Sequence, residues 1–157
     1  MDVTTKSVRG GGLPREQFLP HEMRIVAALR MQGASDEQVI VRVKSENLFQ
    51  YPTERMVANR ATVCLRRLDA MVPTDAVCAV RGIDPKTAVE AASSLTRLMA
   101  SGTPTQADQA IFYSMICRYD IVRELVLVEV GERLQNFDYA FTAVDLNAFM
   151  TRFTTEY

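Results

Sequence analysis

The side chains best suited to chemistry are one histidine, three cysteines, a glycine triplet and a row of arginines. His21 is the only histidine. Without a second histidine or a paired cysteine it makes a poor metal ligand, and no local motif marks a nucleophile for it to activate. Cys64, Cys78 and Cys117 are widely spaced. No pair has the Cys-x-x-Cys spacing of a zinc knuckle or a redox couple, and the odd count argues against a disulfide framework. Cys64 and Cys117 lie among apolar residues and read as small core residues. Gly10-Gly11-Gly12 frees the backbone enough to approach a phosphate. The triplet follows no strand, however, and lacks the Lys-Ser/Thr of a phosphate loop, so it reads as a flexible turn. Asp120, Glu124 and Glu129 sit near Arg118 and Arg123, which is the pattern of solvated salt bridging. Tyr113 and Tyr119 read as core-edge residues. These residues predict no catalytic site, no metal, no cofactor and no small-molecule substrate.

The arginines are different, because one helix gathers them. A helix over Thr53–Met71 advances about 100° per residue. With Arg55 at zero, Asn59 falls near 40° and Arg66 near 20°, while Arg60 and Arg67 fall near 140° and 120°. Val57, Ala61, Cys64, Leu65, Leu68 and Val72 form the apolar stripe, at roughly 180–280°. All four arginines are thereby expected to point away from the core, offset on this helix only by Glu54 and Asp69. A planar guanidinium fork suits phosphate contact, and Arg or Asn near a helix start reaches base edges. The same spacing also suits a solvated face laced with salt bridges.

The elements that position this helix are legible from stop and start signals. Pro20 precedes a helix over His21–Gln32, stopped by Gly33. Ser35, with Gln38 three residues on, opens a helix over Asp36–Glu46 as a capping box. Asn47–Pro52 is a loop holding Phe49 and Tyr51, and Thr53 caps the arginine helix, which Pro73 ends. The helix–loop–helix layout loosely resembles a DNA-binding helix-turn-helix with a longer loop. Further helices are expected over Thr74–Arg81, Pro85 to about Ala100, Thr105–Arg118, Asp120 to about Leu134, and Ala143–Thr154 capped by Thr142. No segment shows sustained strand alternation.

Composition agrees with a folded helical domain of 157 residues, 48% hydrophobic and 24% charged, with net charge −1. Residues 1–81 carry 12 Lys/Arg against 9 Asp/Glu, and residues 82–157 carry 6 against 10, so a polyanionic partner would favour the first half. The most apolar stretch, Ile121–Val130, is interrupted by Arg123, Glu124 and Glu129 and is too short to span a bilayer. A cytoplasmic location is expected.

Several stretches resemble one known family. They are Gly10-Gly11-Gly12-Leu13-Pro14, Glu22-Met23-Arg24-Ile25-Val26, Glu46-Asn47-Leu48-Phe49-Gln50-Tyr51-Pro52, Thr53-Glu54-Arg55 and Arg66-Arg67-Leu68. Together they resemble the BrxA family of BREX phage-defence systems. Ile111-Phe112-Tyr113 and Asp145-Leu146-Asn147-Ala148-Phe149 are compatible with it. The resemblance implies a NusB-like helical protein that binds DNA without catalysis, beside other BREX proteins. It also implies that family members continue past Tyr157 into a further helical or winged segment.

The expectation is therefore an all-α compact bundle of about seven helices. Residues 1–20 are expected as a flexible lead and residues 21–157 as one domain, divided into a helix–loop–helix part (21–72) and a bundle part (73–157). Arg55, Asn59, Arg60, Arg66 and Arg67 are the expected phosphate contacts on double-stranded DNA, flanked by Arg24 and Lys44. Two alternatives use other chemistry or another polymer. One is a protein-interaction adaptor anchored by Phe49 and Tyr51; the other is RNA binding through the same basic surface.

Overall fold

Short polar side chains set most of the helix starts. Ser35 accepts from the Gln38 amide while the Gln38 side chain accepts from the Ser35 amide. Thr53, Thr74 and Asp84 cap through the amides of Met56, Val77 and Thr87. Thr103, followed by Pro104, forms a second capping box with Gln106. That box moves the expected start at Thr105 back by one residue, because Pro104 occupies the first turn, where its missing N–H costs nothing. Gly33 and Gly82 close their helices in the left-handed region, at φ 85° and 64°.

The computed structural model describes residues 17–156. In order they form α1 (Pro20–Met31), α2 (Asp36–Ser45), α3 (Glu54–Ala70), α4 (Asp75–Arg81), α5 (Pro85–Ser101), α6 (Pro104–Arg118) and α7 (Asp120–Glu124). The last of these runs through a π-helical stretch, Leu125–Val130, into α8 (Gly131–Gln135); α9 (Ala143–Glu156) follows. Every regular element among the described residues is helical, so the fold is an all-α bundle.

Helix α1 packs against α5, α3 and α6, while α2 lies on α3 and α5 on α6. Met23, Val26 and Ala27 of α1 share one buried cluster with Val57, Ala61 and Leu65 of α3, Met99 of α5 and Ile111 of α6. Residues of both expected parts, 21–72 and 73–157, contribute to this one cluster. The boundary of the expected lead also shifts. Leu19 is buried in this cluster and Phe18 packs against it, so residues 17–20 belong to the bundle. The glycine triplet and the rest of the lead lie outside the described residues.

The C-terminal elements form an antiparallel helical hairpin. Arg133 pairs with Asp145 near its loop, and Glu129 pairs with Arg152 farther along. Phe149 and Phe153 are its buried residues on α9. In the π stretch the Gly131 amide reaches back five residues to the Val126 carbonyl. No helix among the described residues is long and apolar enough to cross a membrane.

Candidate nucleic-acid interface

The loop between α2 and α3 is fastened inward. Asn47 brackets it, donating to the Tyr51 carbonyl at 3.0 Å and accepting from the Tyr51 amide at 3.2 Å. Phe49 is buried and meets Tyr51 edge-on, with ring centroids 6.3 Å apart. The Tyr51 hydroxyl donates to the buried Glu22 carboxylate on α1, and this bond raises the phenol above its ordinary pKa. Phe49 and Tyr51 are thus spent on the core and are not the exposed anchors that an adaptor would need. Behind them, burial pushes the Cys64 thiol up to about 12, so it carries essentially no thiolate at neutral pH.

On α3 the expected cationic row splits. Arg55, Asn59 and Arg66 are exposed. They lie on one ridge, with Arg55 and Arg66 about 16 Å apart along the axis at 1.5 Å per residue. The two carboxylates expected to offset them are drawn elsewhere. Glu54 pairs with Lys44 of α2 at 3.3 Å, and Asp69 with Arg30 of α1 at 3.1 Å. Lys44 is a less available flank than expected because Glu54 neutralises it. Arg24 is likewise committed, donating to the Gly102 carbonyl at 2.9 Å. Arg60 is half-buried beside Tyr51 and Cys64, where its charge opposes their upward shifts.

Arg67 corrects the reading of the sequence. It is fully buried. Its Nε donates to the Tyr119 hydroxyl at 3.2 Å, Nη1 to the Phe18 carbonyl at 2.9 Å and Nη2 to the Gln17 carbonyl at 2.5 Å. The guanidinium also lies 5.4 Å from the centre of the Tyr119 ring. Arg67 is a structural clamp and cannot reach a phosphate from this position. The expected surface therefore contracts to Arg55, Asn59 and Arg66, with Arg60 at its inner margin.

Other candidates for chemistry remain apart. His21 is exposed at the start of α1, Cys64 and Cys78 are buried, and Cys117 is half-buried. Among the described residues no three His, Cys, Asp or Glu side chains converge as a metal site.

A small helical protein presenting an exposed arginine ridge is what the fold and this surface define. The chain belongs to the BrxA family, whose model matches residues 11–156. Membership ties it to BREX phage defence. No curated protein and no solved structure matches it.

Proposed function

We propose that this protein is a non-catalytic, cytoplasmic component of BREX defence that binds double-stranded DNA through the exposed ridge of α3. The observation that carries the reading is the pairing of Glu54 and Asp69 with cations on other helices. It leaves Arg55 and Arg66 without an ion pair among the described residues, on a ridge that Asn59 shares. A polyanion gains most from such a surface, because each neutralised phosphate releases condensed counterions. Binding of RNA by a NusB-like fold would use the same ridge. The adaptor reading is favoured by a separate observation, the exposed apolar residues of the C-terminal hairpin, including Leu134, Phe137, Tyr139 and Val144.

Fluorescence anisotropy with labelled duplex DNA, single-stranded DNA and RNA, at several salt concentrations, tests the proposal. The paired substitution Arg55→Ala/Arg66→Ala is expected to weaken duplex binding on every sequence tried. It should also reduce the slope of log affinity against log salt by roughly two, at about 0.9 per phosphate contact. Lys86→Ala, at an exposed position on α5, is the control and should change neither quantity. A double variant that keeps both affinity and slope would remove the ridge as the site. Tighter binding to RNA than to duplex DNA would transfer the reading to RNA.

A further inference from the structure

The tip of the C-terminal hairpin is organised around one side chain. Arg133 Nη1 donates to the Asp138 carboxylate at 2.8 Å and to the Ala140 carbonyl at 3.1 Å, and Nη2 donates to Asp145 at 2.7 Å. Its guanidinium lies 5.4 Å from the centre of the Phe141 ring. Backbone bonds from the Phe137 amide to the Leu134 carbonyl and from the Asp138 amide to the Arg133 carbonyl close the turn. So held, Phe137 adopts a left-handed φ of 58°, a conformation that a bulky residue rarely takes. Phe137 is 79% exposed and Tyr139 73% exposed. Two aromatics carried into solvent on a tied backbone are the kind of anchor that loses less backbone freedom when it docks.

The charge around them selects the partner. Residues 120–157 carry 3 Lys/Arg and 7 Asp/Glu, which repels a nucleic acid. A second copy docking through its own hairpin would set two such acidic surfaces face to face, and like charges oppose that pairing. Glu132, one turn before the tip, is exposed. It also edges a shallow groove of about 180 Å³ between the two helices, lined by Phe149 and Phe153, by Glu124 and by Arg152, whose charge is paired with Glu129. With Arg152 matched by Glu129, the acids left at its edge are Glu132 and Glu124, and a lysine stem can lie across the phenylalanines with its head at either.

We propose that the hairpin tip is a docking knob for a partner protein that presents an apolar cleft rimmed by lysine or arginine. Phe137 and Tyr139 are the anchors, and Glu132 and Glu124 receive the rim. The knob works independently of the α3 ridge.

The test places a photo-crosslinking benzoylphenylalanine at Tyr139, and as control at Val89, which is exposed on α5. The full chain is irradiated in its native host and the crosslinked peptides are read by mass spectrometry. The expected result is one protein joined at position 139 and not at 89, through a peptide in which Lys or Arg flanks apolar residues. With that protein purified, Phe137→Ala should weaken binding at least tenfold. Glu132→Lys should weaken it several-fold and reduce its salt dependence. Both variants should keep wild-type circular dichroism and wild-type affinity for DNA. Crosslinking no stronger than at position 89, crosslinking to nucleic acid or to a second copy of this chain, or a partner peptide without basic residues would each overturn the proposal.

Discussion

Arg66 and Arg67 are neighbours in sequence with opposite fates. Arg67 supplies donors to the carbonyls of Gln17 and Phe18 and to the Tyr119 hydroxyl in a buried setting. A buried acceptor left without its donor costs about 1–3 kcal/mol. Arg67→Ala is accordingly expected to lower the unfolding free energy by roughly 3 kcal/mol or more, measured by urea denaturation. Arg66→Ala should stay within about 0.5 kcal/mol of wild type. Equal losses would contradict the inward placement of Arg67. One-helix geometry was enough to group Arg55, Asn59 and Arg66, because a solvent-facing ridge depends only on the period of its own helix. It misplaced Arg67 because that flank of α3 is covered by residues 17, 18 and 119, about fifty positions away in either direction. Polar donors there meet backbone carbonyls, which no hydrophobic pattern marks. Lys44 and Arg24 were likewise legible as cations, but their partners Glu54 and Gly102 belong to tertiary structure.

At the scale of elements, local signals sufficed for the bundle. Ser35, Thr53, Thr74, Asp84, Gly33 and Gly82 mark boundaries because each satisfies or ends a run of backbone bonds by itself. The loop aromatics were less legible: whether Phe49 and Tyr51 face water or core depends on Glu22, which sits on another helix. The hairpin is the element with the thinnest support, resting on two buried phenylalanines and a set of ion pairs. Its acids determine how it responds to pH. The Arg152 guanidinium chiefly holds Glu129 below its ordinary value of 4.5, and the Thr142 hydroxyl chiefly holds Asp145 below 3.8. Groups with depressed folded values contribute stability that is present above those unfolded values and lost as pH falls through the lower folded ones. Acidification from pH 5 to below about 4 is therefore expected to release the α9 amides to hydrogen exchange before those of α1. Simultaneous release of both helices would contradict this order.

Across the whole molecule, α1 joins the two sequence halves. Its residues Met23, Val26 and Ala27 share a cluster with Met99 and Ile111 as well as with α3. A fragment comprising residues 1–72 lacks those later partners, and short helices without tertiary packing are marginal in water. Such a fragment should show little helicity by far-UV circular dichroism and no cooperative melting, whereas α1–α6 of the intact chain should unfold in one transition. A stably folded fragment would show that residues 1–72 form a unit of their own. The π stretch at Leu125–Val130 has a consequence of another sort. A π turn holds one residue more than the α ladder around it, and one residue is about 100° of rotation. The surplus works as a rotational shim: shortened by one, the same downstream sequence would swing Arg133 off Asp145 and turn a different side toward α9. The phase of this short run, more than its apolar character, sets which face of the hairpin looks outward.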